Sequence, residues 1–134
     1  MSLVYGLGAY PAGIVADSGG SRRLFAWGLL ALIAADALLA WGRGLVMIFA
    51  GIAFWGAHMA LTQGLLGKLV ADAAPARLRG SAFGLFNLAT GVAMLFASLL
   101  AGLFWEWAGP AATFAAGGAF AAAALLLLLV RRRA

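Results

Sequence analysis

The chain has 134 residues, 66% of them hydrophobic and 10% charged, with nine Lys and Arg against four Asp and Glu, a net charge of +5 and a mean hydropathy of +1.05. So few charged side chains cannot cover a water-soluble domain of this length. The absence of cysteine excludes disulfides, thiol catalysis and thiolate metal sites.

One histidine and four acidic residues leave little material for an acid–base pair or a metal centre. Neither an enzyme nor a metal or cofactor requirement is expected. The pI near 11.2 does not signal nucleic-acid binding. The basic residues stand at the ends of apolar runs and form no stripe interleaved with aromatics.

The first apolar run, residues 1–16, would extend about 24 Å as a helix. It has no basic flank before it and runs directly into a charged loop, so it reads as a helix and not as a cleavable signal. With Pro11 and several glycines, it is a short or truncated crossing. The alternative is a re-entrant or interfacial segment. Four further runs reach the roughly 20 residues needed to cross a hydrocarbon core. They are 24–42, 44–67, 80–105 and 110–130, with the second continuing as helix to about residue 70. The expected architecture is all-α: one transmembrane domain spanning 1–134, a multi-span integral membrane helix bundle. It has four full transmembrane helices plus a short N-terminal fifth.

The charged islands set an orientation. With five crossings and the N-terminus outside, Arg22, Arg23, Lys68, Arg77, Arg79 and Arg131 to Arg133 fall on the cytoplasmic side, and only Arg43 falls outside. Trp41, Trp105 and Trp107 then sit at the outer boundary and Trp27 near the inner one, as an interfacial belt requires. Trp55 lies inside the third run and does not fit that belt.

Two of the loops carry a pattern. The first reads Gly13-Ile-Val-Ala-Asp17-Ser-Gly-Gly20-Ser-Arg22-Arg23. It resembles the G-x-x-x-D-x-x-G-x-R-R/K signature of the major facilitator superfamily, found between the second and third helices and again, more weakly, between the eighth and ninth. The second contains Pro75, Arg79, Gly80 and Gly84 within Asp72 to Asn87. It resembles the loop into the eleventh helix of bacterial members. Order, spacing and topology together resemble the eighth to twelfth helices, part of the C-terminal half, over nearly the whole chain. About seven helices of the family's pattern, including its N-terminal half, lie outside these residues. The resemblance implies that Asp17 interacts with a helix N-terminus of the opposite half, latching one conformation. Gly13 and Gly20 are expected to permit close approach and a tight reversal. Arg22 and Arg23 either serve that motif or act only as topology anchors at the headgroups.

Polar residues inside apolar runs are expensive and point to function by default. Trp55, His58 or Met59, and Thr62 recur at helical spacing, with Gln63 adjacent. In a segment resembling the family's cavity-lining tenth helix they offer an aromatic wall, a proton site or donor, and hydrogen bonds. His58 reads alternatively as an interhelical hydrogen-bonder. Asp36 lies in the run that resembles the peripheral ninth helix. An isolated carboxylate there costs roughly 2.5–3.5 kcal/mol, so contact with a neighbouring helix is preferred over a proton site. Gly80, Gly84, Asn87, Gly91, Ser98 and Gly102 form a small-residue packing surface.

Family resemblance implies transport of a small solute by alternating access, as a partial or truncated permease or exporter. The other reading is a non-transporting accessory or structural subunit packed against a larger complex. Expected partners are the lipid bilayer and a protein, either another copy or a larger membrane complex, covering the seam of the first and fourth helices. The expected location is the bacterial inner membrane, multi-pass, with the C-terminus cytoplasmic.

Overall fold

The computed structural model describes residues 2–17 and 20–130, and all of its regular structure is helical. Helix α1 spans Ser2–Asp17, α2 Ser21–Trp41, α3 Leu45–Ala73 and α4 Arg79–Val130, with one 3-10 turn at Ala76–Leu78 before α4. Among the described residues, three stretches are long and apolar enough to cross a membrane: Ser21–Trp41, Leu45–Ala73 and Ala76–Val130. The 16-residue α1 falls short of that length. It continues through Pro11 without a break.

Each interruption has a local cause. Between α2 and α3, Gly42 donates its N–H to the Leu38 carbonyl at 2.8 Å, closing the end of α2. Gly44 then takes φ +89°, a conformation that a side chain resists, and α3 begins. After α3, Ala74 is extended, as steric conflict with the following proline ring demands. Pro75 opens the 3-10 turn, and its carbonyl accepts the Leu78 N–H at 2.8 Å.

Helix α4 is interrupted once. Gly109 has φ +81° and ψ 180°, and Pro110 follows it. The proline disfavours a helical residue before it and suits the first position of a new helix. The Thr113 hydroxyl donates to the Gly109 carbonyl at 3.1 Å across that first turn. The break is confined to one residue, so Glu106, Trp107 and Ala108, expected to lie in a loop, remain helical.

The packing order places α3 between α1 and α2, and α2 between α3 and the 110–130 limb of α4. Leu24 and Leu65 are buried together, with Phe25 and Leu61 against them. Gly28 faces Thr62, and Gly51 faces Ala35 and Leu39. The sums of these positions stay nearly constant, so α2 and α3 run antiparallel. On the other side of α2, Asp36 meets Gly117 and Gly118, and Arg22 meets Leu128. The final limb is therefore antiparallel to α2 as well. No residue from 79 to 108 is buried.

Candidate functional site

The polar group of α3 divides into two pairs. His58 turns its ring towards α2, where Nδ1 lies 2.9 Å from the Gly28 carbonyl oxygen. A carbonyl only accepts, so Nδ1 carries the proton and donates. Thr62, one turn on, is buried, and its hydroxyl donates to the His58 carbonyl at 2.7 Å. Gly28 makes this contact possible. A Cβ at that position would stand 2.5 Å from Thr62 Cγ2 and 3.8 Å from His58 Nδ1.

Trp55 and Gln63 are exposed, and they stand at i and i+8 with Met59 between them. The expected common wall of Trp55, His58, Thr62 and Gln63 is thus not one surface. Thr62 is removed from it by burial against α2, because its small branched side chain fits the space that Gly28 leaves. His58 sits at the boundary, half-buried.

Of the first loop motif, Gly13 lies within α1 and Asp17 is its last residue, whereas Ser18, Gly19 and the side chain of Asp17 lie outside the described residues. Gly20 precedes α2 with φ −82° and ψ 13°, backbone that any residue can adopt. The expected glycine-dependent reversal is therefore not made at Gly20. Its carbonyl accepts the Leu24 N–H at 2.9 Å and starts the helix. Arg22 and Arg23 are both exposed. The Arg22 guanidinium donates to the Leu128 carbonyl, near the end of α4, where unpaired carbonyls concentrate and a cation is favoured. Nothing local in the sequence announces this partner. The only signal is that both residues border basic islands assigned to the same side.

In the second loop, Pro75 shapes the turn, Arg79 is exposed and Gly80 and Gly84 have no atom within 4 Å of where a Cβ would stand. Gly91 and Gly102 are equally open, and Asn87 is exposed. The small-residue surface of α4 is therefore present and bare.

Asp36 is buried between α2 and the 110–130 limb. Its Oδ2 lies 3.0 Å from where a Gly117 Cβ would stand, and its own Cβ lies 3.4 Å from that position at Gly118. The paired glycines, unremarked in the sequence, make the recess that admits a carboxyl group at this depth.

Long apolar helices joined by short basic turns, with polar side chains directed at neighbouring helices, define a multi-pass membrane protein. No cluster of metal-ligating side chains occurs among the described residues. The profile of the Major Facilitator Superfamily matches residues 1–134, and the chain belongs to that superfamily. Its members are transporter-type proteins and are generally not enzymes. No curated protein and no solved structure matches the chain.

Proposed function

We propose that these residues form part of the C-terminal half of a small-solute transporter working by alternating access, with α1 corresponding to the eighth helix and the two limbs of α4 to the eleventh and twelfth. The family match over the whole chain supports transport, and the order and spacing of the two loop patterns, Gly13 to Arg23 and Asp72 to Asn87, support the assignment to the C-terminal half. In it, α1 and each limb of α4 cross the bilayer separately, giving four full crossings and a short fifth. The basic turns face the cytoplasm of a bacterial cell, on the charge asymmetry of the loops. Trp55 and Gln63 face the solute, and His58 borders the same path while holding α3 to α2. Gly13, Asp17, Gly20, Arg22 and Arg23 serve the gating loop, and Pro75, Arg79, Gly80 and Gly84 the second loop. The bare glycine face of residues 79–108 is covered by the complementary half of the transporter or by another protein chain.

That bare limb also supports a second reading, in which the chain is an accessory subunit whose α4 packs on a larger complex. The two readings differ in whether water reaches α3. Because the chain has no cysteine, Gln63→Cys and Trp55→Cys can be probed singly with a membrane-impermeant maleimide in proteoliposomes. Transport requires both to react from an aqueous side, well above Leu127→Cys on the exposed outer face of α4. If Gln63→Cys reacts no faster than Leu127→Cys, no aqueous path runs along α3 and the transport reading fails.

A further inference from the structure

Between Leu24 and Gly42 the only ionisable side chain is that of Asp36, five residues, or about 8 Å, before α2 ends at Trp41. It is 7% exposed, and its carboxyl group lies along the Gly117–Gly118 backbone of the final limb. Among the described residues no hydrogen-bond donor and no cation meets it.

Nothing packed on α2 supplies a compensating charge. The final limb has no ionisable residue from Pro110 to Val130, and its one hydroxyl, that of Thr113, is given to the Gly109 carbonyl. From Leu45 to Gly67, α3 has only His58, which faces Gly28, eight residues or about 12 Å along α2 from Asp36. Helix α1, with Tyr5, Tyr10 and the terminal Asp17, lies on the far side of α3. Arg22 and Arg23 stand at the other end of α2, Arg43 lies past its end, and Glu106 belongs to the other limb of α4.

A carboxylate with neither cation nor donor is costly in an apolar interface, whereas the neutral acid is tolerated there. We propose that Asp36 is a proton-operated latch: as the neutral acid it lets the final limb close on α2, and loss of its proton parts the two helices. Even a methyl group at Gly117 would stand 3.0 Å from Oδ2, so a proton is the one ligand that the closed recess admits. The oxygens are not sealed in, because no fully buried side-chain oxygen among the described residues lacks a partner. Exchange with water therefore has a route through the mouth of the groove. The closed form holds the proton and the parted form, with its carboxyl among water or headgroups, releases it. Acid thus favours closure, and rising pH weakens it, by up to about tenfold in the ratio of closed to parted chains per pH unit. Below about pH 4 an aspartate in water is protonated too, and the dependence fades. The latch requires only that the two helices lie in a bilayer, and it holds whichever solute is carried.

The test is a distance. Trp41 and Ala111 are both exposed and stand at the same end of the pair formed by α2 and the final limb. Because the chain has no cysteine, nitroxides can be placed at Trp41→Cys and Ala111→Cys alone and their separation read by double electron–electron resonance in phosphatidylcholine vesicles. At about pH 5 one short distance should dominate, and towards about pH 9 a longer one should grow at its expense. Asp36→Asn keeps the shape, cannot ionise, and should hold the short distance throughout. Thermal unfolding shows whether that variant is folded, and Asp36→Ala supplies a second side chain without a charge. His58→Gln should respond to pH as the parent does. A separation independent of pH in the parent would overturn the proposal, as would a response that survives in Asp36→Asn and Asp36→Ala or one that disappears in a folded His58→Gln.

Discussion

The Nδ1–H of His58 reaches the carbonyl oxygen of Gly28 at 2.9 Å, joining α3 to α2 where the missing side chain of Gly28 leaves room for Thr62. Interhelical hydrogen bonds of this kind contribute about 0.6 kcal/mol on average within membranes and up to about 1.7 kcal/mol. His58→Ala should lower stability by an amount in that range, read as a lower thermal unfolding midpoint in detergent. His58→Phe should lower it further, since the larger ring has no donor and must displace Gly28. A midpoint unchanged in His58→Ala would mean that the bond is replaced by water or lipid.

Gly28→Ala places a Cβ 2.5 Å from Thr62 Cγ2, a distance that forces the helices apart. Overpacking of this kind costs about 1–3 kcal/mol. Thr62→Ser removes the obstructing methyl group and keeps the hydroxyl that bonds to the His58 carbonyl. The double variant should therefore recover most of the loss in a denaturant or thermal titration. A strictly additive double variant would show that the two positions do not meet.

At Gly109, φ +81° with ψ 180° belongs to a region populated almost only by glycine, and forcing a side chain into it costs about 1–3 kcal/mol. Gly109→Ala should be destabilising by that amount in thermal unfolding. Pro110→Ala should be milder, because the first position of a helix has no N–H partner to lose. Should Pro110→Ala prove the more damaging, the corner is set by the ring and not by the glycine.

The glycines of α4 should fall into two groups. Gly117→Val pushes a branched side chain onto Asp36 and should separate α2 from the final limb, lowering stability by about 1–3 kcal/mol. Gly84→Ala and Gly91→Ala meet nothing within 4 Å and should leave the unfolding midpoint of the isolated chain the same or slightly higher, since alanine suits a helix interior better than glycine. Larger replacements at Gly84 or Gly91 should instead weaken association with whatever covers that face, measured by native mass spectrometry or crosslinking in membranes.

Much of the architecture is written locally. Apolar runs of crossing length between short arginine-bearing islands identify an all-helical membrane chain, and Pro75 and the Gly109–Pro110 pair mark their own interruptions through steric rules that need no tertiary partner. The candidate site was less legible, because its arrangement depends on pairings between distant residues. Helical spacing puts Trp55, His58 and Thr62 near one another on α3, but it cannot say that Gly28 will stand opposite Thr62 and draw it out of the exposed row. Likewise, Asp36 declares that it needs company, while the recess formed by Gly117 and Gly118 is known only once α2 and the last limb are side by side. Arg22 has the look of a headgroup anchor until Leu128 is found beneath it.

The burial of Asp36 against Gly117 and Gly118 has a consequence for how the protein is made. When α2 leaves the ribosome and enters the membrane, the residues that will shelter its carboxyl group have not yet been synthesised. Through the insertion of α3 and the first limb of α4, that side chain must be tolerated by lipid, by the translocon or by a chaperone. Only the arrival of the final limb relieves it. A nascent chain arrested before Gly117 should thus be held at the insertion machinery or degraded, while one extended beyond Leu128 is released into the bilayer.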